Sequence, residues 1–151
     1  LINNIQAHTP EVFEAYNPTY EKWLKELNRY DISAETIFIG HSCGAGFLTR
    51  WLSENDVRVG KVILVAPWID PDKSKSGIMF DFEIDPNMSE KTSSLVVFHS
   101  DNDMESIQKS TKTIKELVAN IKFKEFHNYG HFCFEDMETV EFPELLDECL
   151  S

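Results

Sequence analysis

Residues Lys61–Ala66 read K-V-I-L-V-A, an apolar run with no polar position between its ends. A strand with one wet face alternates apolar and polar residues. A strand without alternation is covered on both faces, which is how parallel sheets between helical layers are built. Pro67 stops the run. The segments around it fit the same scheme. Tyr20, Trp23, Leu24, Leu27 and Tyr30 recur at helical spacing behind Pro18, which suits a first helical turn. Thr36–Gly40 reads as a buried strand, Ser94–His99 as another strand, and Ile121–Phe126 as a last one. Ala45–Glu54, Ile107–Ala119 and Phe142–Leu150 read as helices, and Trp68–Glu90 as a long polar loop suited to a lid or binding role. Strands alternating with helices predict an α/β domain, a parallel sheet with helices on both faces, over residues 1–151.

A chain of 151 residues is long enough for one domain with a substantial core. Its net charge of −12 argues against nucleic acid or an anionic membrane surface as partner. No apolar run approaches the roughly 20 residues of a membrane span. Three widely spaced cysteines, Cys43, Cys133 and Cys149, do not form a disulfide framework. With no signal-peptide pattern at the start, they point to a reducing compartment, the cytoplasm.

Ligand sites in open parallel sheets form at the carboxyl ends of strands. Gly40-His41-Ser42-Cys43-Gly44 stands at the first of these, where a strand gives way to a helix. A serine on so tight a turn needs a strained backbone. Glycines two before and two after it, Gly40 and Gly44, are expected to relieve clashes between strand and helix. The Cys43 N–H, at the start of the helix, is the candidate oxyanion donor. The third strand leads into His99-Ser100-Asp101-Asn102-Asp103, and the fourth into His127-Asn128-Tyr129-Gly130-His131. Serine, aspartate and histidine thus follow in the order of a nucleophile, an orienting acid and a base. Asp101 and Asp103 both qualify as the acid at this stage.

Three other readings are open. His127, His131 and Cys133 have a spacing that brings metal ligands together, but a fourth ligand is not evident and no metal is expected. The Cys43 thiol lies one residue past the turn and points elsewhere. Trp68, Phe80 and Phe82 line a pocket or belong to the core.

Taken together, Gly40–Gly44, Val62–Pro67, Phe98–Asp103, Tyr129-Gly130-His131-Phe132 and Phe134-Glu135-Asp136 resemble the small serine hydrolases of the retinoblastoma-binding protein 9 and YdeN type. The resemblance implies a compact α/β-hydrolase without a large cap domain. It also implies a cofactor-free enzyme acting on small acyl compounds such as esters. By position it makes Ser42 the nucleophile, His131 the base and Asp103, rather than Asp101, the acid; no protein partner is indicated. One departure stands out. The family begins with a strand and a glycine-rich loop that supplies a second oxyanion N–H, whereas no glycine precedes Gly40. An N-terminal segment of about 30 residues, a strand-plus-helix unit, is therefore expected to be missing from this sequence. Without that donor, the alternative is a weak or inactive hydrolase-fold protein with a binding role.

Overall fold

The computed structural model describes residues 6–12, 17–74 and 78–151, with the backbone alone at residue 78. Its elements are α1 (Tyr20–Leu27), β1 (Phe38–His41), α2 (Cys43–Glu54), β2 (Val59–Val65), β3 (Thr92–Ser100), α3 (Glu105–Leu117), β4 (Lys122–Phe126), α4 (Phe134–Met137) and α5 (Pro143–Leu150). Short 3-10 turns at Ile78–Phe80 and Met88–Lys91 punctuate the long loop. The strands form a parallel sheet in the order β1-β2-β3-β4, as the uninterrupted apolar run predicts. Every residue of β2 is buried.

Alternate residues of the strands feed two cores. Val62, Leu64, Leu95 and Val97 face α1, α2 and Ile114 of α3. Ile63, Val65, Val96 and Phe98 face the other way, against Phe142, Leu145 and Cys149 at α5. In β1, Phe38 packs on Trp51 of α2, ring centroids 5.2 Å apart. Its neighbour Ile39 is 50% exposed, although its register partner Ile63 is fully buried. β1 is thus a sheet edge among the described residues. No helix among them is long and apolar enough to cross a membrane.

Several boundaries differ from the sequence reading, for local reasons. Pro18 precedes the N-cap Thr19 instead of entering α1. That helix stops at Leu27, because Asn28, Arg29 and Tyr30 turn back onto Leu24, Glu26 and Leu27 carbonyls. β2 gives up Ala66, whose φ of +46° leaves the extended region. α4, a single turn, has too few residues to carry a periodic signal.

The sheet ladder runs one step beyond the strands. Ser42 N–H donates to Val65 O (3.0 Å), Ala66 N–H to Phe98 O (2.9 Å) and Asp101 N–H to Phe126 O (3.0 Å). Each strand exit is therefore pinned to its neighbour before its loop begins.

At the other end of the sheet, Lys61 reaches from β2 into the last turn of α5. Its ammonium donates to the Glu148 carbonyl, to Ser151 O (3.1 Å) and to Ser151 Oγ (2.7 Å). It also pairs with the buried Glu148 carboxylate at 3.2 Å, which Lys124 meets from the other side at 2.6 Å. Burial pushes the Glu148 carboxyl up, but hydrogen bonds from Lys124 and Lys61 outweigh this and hold it below the usual range. Glu148→Gln is expected to cost about 3 kcal/mol near neutral pH, since it strands buried positive charge. A depressed carboxyl stabilises fully above its unfolded value of 4.5, and the gain vanishes as pH falls through the lower folded value. Urea unfolding of both proteins at neutral and acid pH measures this; an equal gap at both would refute it.

Candidate active site

Ser42 occupies φ +54°, ψ −118°, a conformation that costs a non-glycine residue about 1–3 kcal/mol. It is held from both sides. Its N–H is taken by Val65, and its carbonyl accepts Gly46 N–H (3.1 Å) and Trp68 N–H (3.2 Å). A Cβ at Gly40 would lie 2.7 Å from Gly44 O and 2.8 Å from Ala45 Cα, so glycine there is a steric necessity. The expectation for Gly44 needs correcting. A Cβ there meets nothing within 4 Å, because this first-turn residue of α2 faces away from β1. The second tight position is Gly46, where a Cβ would come 2.0 Å from Trp68 O and 2.6 Å from Phe80 Cε1. The sequence reading missed Gly46; its signal was a second glycine two residues on, in the face α2 turns to the loop.

The three candidate residues meet. His131 Nε2 lies 3.0 Å from Ser42 Oγ, and His131 Nδ1 lies 3.0 and 3.1 Å from the two oxygens of Asp103. A carboxylate only accepts, so the Nδ1 proton belongs to the Asp103 bond and Nε2 is left as the acceptor facing the Ser42 hydroxyl. The Asp103 side chain is 1% exposed and that of His131 17%. Met104 N–H donates to Asp103 Oδ1 at 2.6 Å, fixing the carboxylate. Cys43, next to Ser42, is the first residue of α2. His41 has no role assigned from the sequence. It donates from Nε2 to His131 O at 2.7 Å, its ring 4.7 Å from that of His131, and burial lowers its pKa.

Asp101 serves a different histidine. Its Oδ2 lies 2.6 Å from His127 Nδ1, and its Oδ1 accepts Asn128 N–H at 3.0 Å. The Asn128 N–H, followed by His127, holds the Asp101 carboxyl below its usual range, and the Asp101 bond raises His127. His127 and His131 thus have separate partners, and the Cys133 thiol donates to His131 O at 3.6 Å. These three residues do not converge as ligands.

The long loop folds over the start of α2. Trp68 and Phe80 stack edge to face, centroids 4.8 Å apart, and each packs on one of the two cores. Phe82 belongs to neither. Arg50 anchors the loop through Met79 O (3.0 Å), and Ser53 Oγ accepts Asp85 N–H (3.1 Å).

A serine on a strand-to-helix turn at the carboxyl edge of a parallel sheet, in reach of a histidine, defines an α/β-hydrolase. The sequence model of the serine hydrolase family matches residues 3–144. The chain belongs to the serine hydrolase family and is a hydrolase enzyme. It is similar to the ydeN gene product of B. subtilis, with 21% identity, TM-score 0.72, and coverage of 89% of this chain and 76% of that one. A structure described as a YdeN-like hydrolase from Pectobacterium atrosepticum gives 20% identity and TM-score 0.70, covering 93% and 73%. Bromoperoxidase from Bacillus anthracis gives 17%, 0.59, 93% and 76%. At these identities the likeness establishes the fold. No curated protein matches the chain in sequence.

Two predictions follow from the geometry. Gly40→Ala should lower thermal stability by about 2 kcal/mol through overpacking, whereas Gly44→Ala should be neutral or gain up to about 1 kcal/mol of helix propensity. Equal losses at both positions would contradict the contacts described. In an NMR titration His127 should lose its proton above 6.5, moving back towards 6.5 in Asp101→Asn; an unmoved midpoint would separate the pair.

Proposed function

We propose that the protein hydrolyses small esters or related acyl compounds through a Ser42–His131–Asp103 triad and a covalent acyl-enzyme. As Ser42 Oγ attacks the acyl carbon, His131 Nε2 takes its proton, and Asp103 holds the ring and stabilises the imidazolium. The carbonyl oxygen becomes an oxyanion, for which the Cys43 N–H at the head of α2 is the assigned donor. Collapse expels the alcohol, which receives the proton from His131. Water then repeats the sequence, releasing the acid and restoring the serine. No step calls for a cofactor.

The observation that carries this reading is the pair of 3.0 Å contacts joining Ser42, His131 and Asp103, contributed by three different strand exits. Membership of the serine hydrolase family supports it. The Trp68–Phe80 pair packs against Gly46 of α2, and Trp68 N–H bonds to Ser42 O, so the long loop stands beside the serine as the assigned carrier of specificity. Free thiols at Cys133 and Cys149 agree with a reducing, cytoplasmic setting.

Wild-type protein should react covalently with a fluorophosphonate probe, and Ser42→Ala should not. Asp103→Asn should lower kcat about 10⁴-fold on a simple ester, because the wrong tautomer of His131 then faces the serine. Equal labelling of wild type and Ser42→Ala would remove Ser42 from the chemistry. A folded wild type that resists the probe would favour a hydrolase-fold binding protein instead. An acyl-chain-length series then reads the depth of the pocket.

A further inference from the structure

His131 belongs to a loop that begins at β4, on the opposite side of the sheet from β1, where Ser42 stands. Three inter-strand steps of about 4.8 Å separate those two strands, so the loop must carry the imidazole back by roughly 14 Å. Its backbone is coiled tightly to do so. Asn128, Gly130 and Phe132 have φ values of +64°, +51° and +58°. Alternating left-handed residues turn successive N–H groups towards one side, leaving them outside any helix or sheet ladder. The loop bonds to itself at Phe132 N–H to Tyr129 O, 2.9 Å.

The N–H groups of residues 128–130 are each taken by a different side chain of the β3 exit. Asn128 N–H goes to Asp101 Oδ1 (3.0 Å), Tyr129 N–H to Ser100 Oγ (3.0 Å) and Gly130 N–H to Asn102 Oδ1 (2.8 Å). Ser100, fully buried, donates its hydroxyl proton to the same Asn102 oxygen at 2.8 Å. The next residue of this exit, Asp103, takes His131 Nδ1. The exit of β3, residues 100–103, therefore contacts each of residues 128–131 through one group. From the other side, Asp136 of α4 accepts His131 N–H at 2.7 Å. A Cβ at Gly130 would come 2.3 Å from the Asp136 carboxylate, so this closure also requires the glycine.

We infer that Ser100, Asp101 and Asn102 form a support that reads the backbone of the histidine loop and sets His131 over Ser42, with Asn102 as its central positioning residue. This rests on the reading of His131 as the general base. The support acts on register: a loop displaced by one residue would take Nδ1 from Asp103 and Nε2 from Ser42 together. Asn102 joins both halves, since its one oxygen holds the Gly130 N–H and the Ser100 hydroxyl. An amide supplies that acceptor without adding a third charge between Asp101 and Asp103.

The test compares wild type, Asn102→Ala and Asn102→Asp on a simple ester and with the fluorophosphonate probe, with circular dichroism to confirm folding. Displacing a catalytic group by about 1 Å costs up to about 10²-fold in rate. Asn102→Ala should lower kcat by about 10–100-fold with KM unchanged, and slow Ser42 labelling by the same factor. Asn102→Asp, which keeps the acceptor but adds a charge between Asp101 and Asp103, should recover part of the rate. Undiminished kcat in Asn102→Ala, or no recovery in Asn102→Asp, overturns the inference while labelled wild type leaves the triad standing. An unlabelled, folded wild type overturns the triad itself. Amide hydrogen exchange on the wild type needs no variant: Asn128, Tyr129 and Gly130 should be protected, and free exchange there would overturn the support.

Discussion

The site depends on parallel pairing in unbroken sequential order. When β1, β2, β3 and β4 lie side by side in chain order, all four exits open on one edge of the sheet. The serine and the histidine then start from opposite flanks. Nothing in the ladder brings them together; the loops must. The ladder does fix where the loops start, because Ser42, Ala66 and Asp101 each donate to the last carbonyl region of the adjacent strand. Position is thus handed from β4 through β3 and β2 to Ser42 by three backbone hydrogen bonds. A change that frees one exit would be felt at the others.

Strained turns at the exits need a rigid sheet beneath them. Ser42 and Ala66 both have positive φ without being glycine, at about 1–3 kcal/mol each. Burying a Val, Leu, Ile or Phe side chain stabilises by about 1.5–3 kcal/mol. Val62, Ile63, Leu64, Val96, Val97 and Phe98 are fully buried, so the two central strands alone offset the strain. This explains why the least polar segments of the chain lie directly under its most irregular turns. The distortion is affordable only where the surrounding packing allows no relaxed alternative.

Much of this was legible in the sequence, and the limits have physical causes. K-V-I-L-V-A identifies a strand covered on both faces because burial removes alternation, a signal carried by the residues themselves. The serine turn and the order Ser, Asp, His are equally local patterns. Gly44 misled because the pattern carries two glycines, while the contact depends on which way each Cα faces. Gly46 shows in the sequence only as a further glycine, and its tight contact does not, since its neighbour Trp68 O belongs to another segment. Ser100, Asn102 and Asp136 were passed over because a polar residue in an acidic chain looks the same whether it meets water or a distant N–H. Their partners lie in separate segments for the first two, and Asp136 itself lies in a one-turn helix too short to announce itself.

Two aspartate–histidine pairs at neighbouring strand exits show how environment divides one chemistry into two uses. His127 and Asp101 are 70% and 41% exposed at the side chain, and their 2.6 Å contact lies in water. There the attraction of two charges is largely screened, and such pairs contribute little more than a tether. His131 and Asp103 are only 17% and 1% exposed, at 3.0 Å. With the solvent excluded, orientation and electrostatic coupling persist, and the second ring nitrogen is turned to a hydroxyl. The shorter contact is therefore the less consequential one. Shelter, together with what the far side of the imidazole faces, separates a loop fastener from a group able to move a proton.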